Sequence, residues 1–289
     1  FGITRKGATR WLALGPLVIQ PSEVLKIATP LMLAWWFQKR EGRLHVSDFA
    51  VAAGLLLLPV ALVVKQPDLG TSLLVLAGGL YVIFFAGLSW KLVIPTLGLA
   101  AVGIVAIVLT GDSICQPGVD WPGMREYQKT RVCTLLDPTQ DPLGKGFHII
   151  QSTIAVGSGG LSGTGWMQGT QTHLEFIPER TTDFIFAVFS EEFGLIGNLV
   201  LLAVYLLLFS RGLVIAAQAA NEFARLLAGA ITLIFFVYAF VNMGMVAGIL
   251  PVVGVPLPLM SYGGTAMVTL GLGVGLLMSI NRHRQLVQT

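Results

Sequence analysis

Glu23, Lys26, Asp68, Asp183, Glu191 and Glu192 stand inside or at the ends of long apolar runs. A charge in such surroundings is costly, and by default it marks a functional position. Glu23 and Lys26 are three residues apart, so on a helix they share a face and can pair. Two readings stand for them: a buried ion pair that fixes helix packing, or a pair lining a cavity for a charged substrate. Asp68, in Gln66-Pro67-Asp68-Leu69-Gly70-Thr71, follows a proline and precedes an apolar run, and taken alone it reads as a helix N-cap. Asp183 occupies the end of a long polar stretch, in Pro178-Glu179-Arg180-Thr181-Thr182-Asp183-Phe184-Ile185-Phe186. Capping is open to it too, but Thr181 or Thr182 can take that task. A carboxylate sheltered by Phe184 and Phe186 would have its charged form disfavoured, which suits a general base near neutral pH. Further along the same helix Glu191 lies about 80° round from Asp183 and Glu192 about 180°, at 100° per residue. Both cannot face one cavity with Asp183, and one of them is expected to meet a polar partner on another helix.

The elements that must position these groups are membrane helices. Of 289 residues 54% are hydrophobic and only 11% charged, with a mean hydropathy of +0.78. Soluble domains carry about 25% charged residues, so the solvent implied is a bilayer. The 34 glycines agree, because glycine is commoner in membrane helices. A net charge of +3 is too small to suggest nucleic acid, and the four histidines are scattered without a metal-binding pattern. Runs of about 20 apolar residues predict about seven spans: Ser22–Gln38, Phe49–Val64, Thr71–Gly87, Leu92–Thr110, Asp183–Ser210, Phe223–Ile249 and Leu259–Ile280. Pro30, Pro59 and Pro95 are expected to interrupt the earlier ones. The fold class is therefore all-α, polytopic, a single membrane domain over residues 1–289. Phe1 is not Met and Gly2–Trp11 reads as a polar loop, so upstream segments are expected.

Charge sets the orientation. Short connections on one side hold Lys39, Arg40 and Arg43, then Lys91, Arg211, Arg225, Arg282 and Arg284. Those on the other side hold Lys65 alone. The positive-inside rule puts the first set and the C-terminus in the cytoplasm. Arg5, Lys6 and Arg10 then fall outside, against the rule, which missing upstream spans would explain. The long connection Gly111–Thr182 falls on the outer face, and at roughly 70 residues it should carry function. Within it Pro122–Leu136 predicts an amphipathic helix, either on the membrane surface or packed on the protein. Phe147–Val156 predicts a second short helix, and Gly157–Gly169 a glycine-rich turn system. Cys115 and Cys133 share this loop, and a disulfide and two free thiols are both open. Three prolines, Pro251, Pro256 and Pro258, precede Ser261-Tyr262-Gly263-Gly264 and shape either a cavity wall or a rigid turn. From the residues alone a transporter and an interfacial enzyme remain level.

Taken together, an ordered set of motifs resembles one family. Gln20-Pro21-Ser22-Glu23 with Lys26, Gln66-Pro67-Asp68-Leu69-Gly70-Thr71, Asp141-Pro142-Leu143-Gly144 and Gln151-Ser152 follow one another as in SEDS (shape, elongation, division and sporulation) proteins. Gly157-Ser158-Gly159-Gly160, Pro178-Glu179 with Thr182-Asp183-Phe184, and Pro256-Leu257-Pro258 with Ser261-Tyr262-Gly263-Gly264 continue the series. Each motif is weak by itself and the ordered set is specific. Gly146–Ser152 looks like the elongation branch. Thr181 departs from the pattern, where a histidine often precedes the Thr-Asp pair. The family has ten spans, so those here would be the fourth to the tenth.

The resemblance implies a peptidoglycan glycosyltransferase that polymerises lipid II into β-1,4-linked glycan, with undecaprenyl diphosphate leaving. Asp183 matches the family's catalytic aspartate. The resemblance also implies that Glu23, Asp68, Gln151, Ser152, Glu179 and Ser261 line or shape the substrate cavity. The leaving diphosphate needs positive charge or a divalent cation such as Mg or Mn. Lys26, Lys145 and Arg180 are the cations located to supply it, the alternative for each being a solvated or structurally paired cation. A class B penicillin-binding protein, a transpeptidase, is the implied partner alongside membrane lipids. The competing reading is a lipid II flippase, which would depend on midplane charges such as Glu23 and Lys26 rather than on Asp183.

Overall fold

The computed structural model describes residues 2–5, 8–14, 17–40, 42, 44–116, 118–119, 121, 126–141, 144–173 and 179–283. Lys6, Arg43, Pro122–Arg125, Pro142, Leu143, Pro178 and Arg284, all used in the sequence reading, lie outside the described residues, as does the Lys145 side chain.

Every expected span is a helix. They are α1 (Pro21–Gln38), α2 (Val46–Lys65), α3 (Leu69–Phe85), α4 (Trp90–Ile114), α8 (Ile185–Ala217), α9 (Glu222–Val246) and α10 (Gly264–Arg282). Five of these, α2, α4, α8, α9 and α10, are long and apolar enough to cross a membrane. Between α4 and α8 lie α5 (Glu126–Leu136), a 3₁₀ turn at Pro138–Gln140, α6 (Lys145–Ser158) and α7 (Thr170–His173). The predicted helix Phe147–Val156 is thus found and extended at both ends. The expected interruptions at Pro30, Pro59 and Pro95 do not occur, since α1, α2 and α4 run through them. Membrane helices tolerate proline because neighbouring groups re-satisfy the freed carbonyl.

One expectation is corrected at the start of the chain. The stretch read as a polar loop forms an antiparallel sheet, β1 (Gly2–Arg5), β2 (Ala8–Leu14) and β3 (Leu17–Ile19), in that order. Gly2 pairs with Leu12, and Leu12 with Ile19. Ile3, Thr4, Thr9, Val18 and Ile19 are β-branched, a composition that favours strands.

The chain divides into two compact units. The first comprises residues 1–88, 202–240 and 258–289. Its core is built from Leu33, Ala34 and Phe37 of α1, Leu56 of α2, Leu74, Val75 and Val82 of α3, and Leu226, Leu227 and Ile231 of α9. Glycines admit close approach here: a Cβ on Gly78 would meet Ile234 and Pro30, and one on Gly273 would press on Phe235 and Ile231. Small residues at contact faces are how membrane helices gain packing energy when lipid offers no hydrophobic drive.

The second unit comprises residues 89–201 and 241–257. Its α4 buries only Gly111, against Leu136 of α5, as expected for a helix bathed in lipid. Its most unusual feature is a break in α8 at Gly194, which takes φ 62° and ψ −161°. In an unbroken helix the carbonyls of Glu191 and Glu192 would accept from the N–H groups of Leu195 and Ile196. Here Thr164 and Gly165 donate to those carbonyls at 2.9 and 3.0 Å. Leu195 and Ile196 donate instead to the carbonyls of Gly160 and Leu161, at 2.9 and 3.1 Å. The glycine-rich stretch therefore inserts into the break and satisfies both sides, which is the condition for irregular backbone at membrane depth.

Candidate active site

In the first unit two of the family-like motifs are tied at their starts. Asp68 caps α3, accepting from the Thr71 N–H at 3.1 Å. Its other oxygen accepts from Gln20 Nε2 at 3.0 Å, joining the entry of α3 to the entry of α1. The N-cap reading of Asp68 is thus what the structure shows. One turn on, Lys26 donates to Glu23 Oε1 at 2.5 Å and to the Tyr238 hydroxyl at 2.5 Å, with its ammonium 4.9 Å from the Tyr238 ring centre. Glu23 and Lys26 are both buried, and Glu23 Oε2 has no hydrogen-bond partner. Lys26 and Tyr238 also border a small apolar crevice with Ile27, Phe235 and Leu270. The ammonium is enclosed by a carboxylate and a phenol, an arrangement that serves internal packing of α1 against α9. Ser261 is likewise buried, ahead of α10.

In the second unit Asp183 stands in the turn that leads into α8. That turn is organised by the Glu179 carbonyl, which accepts from the Thr182 N–H at 3.0 Å, from the Thr182 hydroxyl at 3.1 Å and from the Phe184 N–H at 3.3 Å. Glu179 pays for this with a left-handed backbone, φ 55°, a conformation costly for a non-glycine residue and common at functional turns. Glu179 is exposed, and Arg180 and Asp183 are half-buried. Phe184 and Phe186 are both buried, and the Phe184 ring stacks on His148 with centroids 5.5 Å apart.

Asn242, from the end of α9, completes the support. Its Nδ2 donates to the Asp183 carbonyl at 2.8 Å and to the Val255 carbonyl at 2.7 Å. Both partners are acceptors, which fixes which side of the amide is nitrogen. Between Val252 and Val255 the proline-rich segment turns through Gly254 at φ 71°. A Cβ there would lie 3.1 Å from Asp183 Oδ2, so the backbone itself forms one wall beside the carboxylate.

Other candidates serve different ends. Ser152 is fully buried, and its hydroxyl donates to the Ile149 and Val246 carbonyls, each at 3.0 Å. It stitches α6 to the end of α9. Gln151 is half-buried on α6. Glu191 is the acidic residue that meets a polar partner on another element, accepting from the Thr170 hydroxyl at 3.2 Å and the Gln171 N–H at 2.9 Å. Cys115 and Cys133 form a disulfide. Among the described residues no group of three or more His, Cys, Asp or Glu side chains is gathered to hold a metal ion.

Asn242, Gly254 and Tyr238 were not singled out from sequence. A polar Asn in an otherwise apolar span is a legible signal. Nothing in sequence marks Gly254 beyond its place among the prolines.

Comparison with known proteins supplies the family. The FtsW/RodA/SpoVE cell cycle protein model matches residues 1–286. The peptidoglycan glycosyltransferase MrdB of Escherichia coli (strain K12) is 53% identical over 287 residues, covering 99% of this chain and 74% of that protein. The peptidoglycan glycosyltransferase RodA of Treponema pallidum is 34% identical, covering 98% and 79%. Among solved structures, a chain of a peptidoglycan synthase complex that coordinates polymerization and crosslinking matches with TM-score 0.76 and 35% identity, covering 99% of this chain and 76% of that one. Thermus thermophilus RodA matches with TM-score 0.66 and 29% identity, covering 99% and 73%. This chain therefore belongs to the FtsW/RodA/SpoVE cell cycle protein family.

Proposed function

We infer that this multi-pass membrane protein is a peptidoglycan glycosyltransferase and that Asp183 is its general base. The observation that carries the assignment is the seating of Asp183: a carboxylate held by its backbone through Asn242, with an exposed glycine turn beside one oxygen. The names of relatives at 53% and 34% identity support the activity.

The substrate read from that activity is lipid II, a disaccharide-pentapeptide on undecaprenyl diphosphate. The 4-hydroxyl of an acceptor N-acetylglucosamine attacks the anomeric carbon of the donor N-acetylmuramic acid. Asp183 takes the hydroxyl proton as the new bond forms, and the bond to the diphosphate breaks with inversion. A sugar hydroxyl is a poor nucleophile, and a positioned base contributes about 10²–10⁴-fold. Arg180, three residues from Asp183, and Lys145 at the start of α6 are the cations we assign to the leaving diphosphate. The charge distribution of the short loops supports a cytoplasmic C-terminus and an active site on the outer face of the bacterial inner membrane. A transpeptidase of the class B penicillin-binding type is the proposed partner, because a structural relative belongs to a polymerising and crosslinking complex.

The test uses full-length protein with its partner and labelled lipid II, with glycan products resolved on a gel. Asp183→Ala and Asp183→Asn, each checked for folding by thermal melting, are expected to make no polymer. Polymer from either folded variant would remove Asp183 from the chemistry. Movement of lipid II between leaflets without any polymer from wild type would favour the flippase reading instead.

A further inference from the structure

The turn beside Asp183 is held near both of its ends by side chains from elsewhere in the chain. Asn242 binds both the Asp183 and the Val255 carbonyls. The other end is held from a distance in sequence: Arg131 Nη1 donates to the Val252 carbonyl at 2.8 Å. Gly254, whose backbone walls the carboxylate, lies between these points.

Arg131 is carried by a helix with little freedom. Cys133, on the same helix, is bonded to Cys115 at the end of α4. Lys129 is buried and donates to the Gln116 and Val119 carbonyls at 3.2 and 2.6 Å, tying α5 to the strap that follows α4. Trp121 Nε1 donates to the Ile114 carbonyl at 3.0 Å and fastens the same strap. Lys129 and Cys133 are four apart and share a helix face, while Arg131 lies about 200° round from Cys133. One face of α5 is therefore locked to the end of α4, and the opposite face presents a guanidinium to Val252.

We propose that Arg131 is a positioning residue for glycosyl transfer, holding the Val252–Val255 turn so that the Gly254 backbone stays against the Asp183 carboxylate. The proposal rests on the reading of Asp183 as the base. Removing Arg131 frees one end of the turn while Asn242 still holds Asp183 by its carbonyl. The carboxylate then loses a fixed wall without losing its place in the chain. Misplacement by about 1 Å at a reacting group can cost about 10²-fold, so the loss should fall on kcat more than on KM.

The experiment measures kcat and KM for lipid II polymerisation by the full-length protein with its partner, for wild type, Asp183→Asn, Arg131→Ala and Arg131→Lys. The Cys115→Ser/Cys133→Ser pair is made with and without Arg131→Ala, and all variants are melted. Asp183→Asn should be inactive. Arg131→Ala should lose ~10–100-fold in kcat with KM changed less than about threefold. Arg131→Lys, which keeps a cationic donor, should recover much of that loss. In the Cys-to-Ser background Arg131→Ala should cost less than in wild type, because the helix that gives the guanidinium its fixed position is already loosened. Normal kcat in Arg131→Ala, beside inactive Asp183→Asn, overturns the positioning role and leaves the function intact. A loss that Lys does not rescue and that tracks the melting temperature also overturns it, as a purely structural effect. Activity in Asp183→Asn removes the base assignment and this proposal with it.

Discussion

Asp183 Oδ2 lies 3.1 Å from the point that a Cβ on Gly254 would occupy, and Gly254 holds φ 71°. The two facts act together. An alanine there would carry a backbone penalty of roughly 1–2 kcal/mol, and its methyl would press on the carboxylate that the reaction needs. Gly254→Ala is therefore expected to melt at a slightly lower temperature but to lose polymerase activity by at least ~10-fold, since reacting groups tolerate little displacement. Steady-state polymerisation of labelled lipid II beside thermal melting separates the two effects. Full activity in the alanine variant would mean that this oxygen does not face the reacting hydroxyl.

Asp183 was legible in sequence because it is a carboxylate at the edge of an apolar run, and Asp68 because a Pro-Asp step precedes a helix. Their partners were not. Asn242 and Gly254 reach Asp183 from residues 59 and 71 positions on, a pairing that only folding decides. The seven helices were readable from hydropathy, but the break in α8 was not, because the span expected over Asp183–Ser210 runs straight across Gly194. The N-terminal sheet was missed because three basic residues suggested a loop, whereas strand pairing answers to β-branched residues and short turns. The Cys115–Cys133 bond stayed open in sequence because separation does not fix the distance between two Cβ atoms.

The buried Glu23–Lys26 pair makes a stability prediction of its own. Lys26→Met would leave the Glu23 carboxylate buried, with Oε2 already lacking a partner. Removing one member of a buried pair costs about 3–5 kcal/mol, whereas replacing both by well-packed neutral groups is far milder. Melting in detergent should therefore show Lys26→Met as the more damaged variant and Glu23→Gln/Lys26→Met as partly restored. Equal melting of Lys26→Met and wild type would show that the pair does not hold the helices together.

The glycine-rich stretch offers a sharper contrast, because its glycines do different things. Gly163 has φ 80°, and a Cβ on it would collide with the Glu192 carbonyl at the break in α8. Gly157 lies in α6, with nothing within 4 Å of its missing Cβ. Six residues apart, they should respond to the same substitution differently. Gly163→Ala bears a left-handed backbone cost of roughly 1–2 kcal/mol before the collision is counted. It should also expel the loop from α8, leaving the Glu191 and Glu192 carbonyls without donors, at about 1–3 kcal/mol for each group. Gly157→Ala should instead be neutral or stabilising by up to about 1 kcal/mol, the ordinary gain of alanine over glycine in a helix. Thermal melting of the two variants beside wild type tests the pair, and a Gly163→Ala protein as stable as Gly157→Ala would refute the insertion of this loop into the helix break.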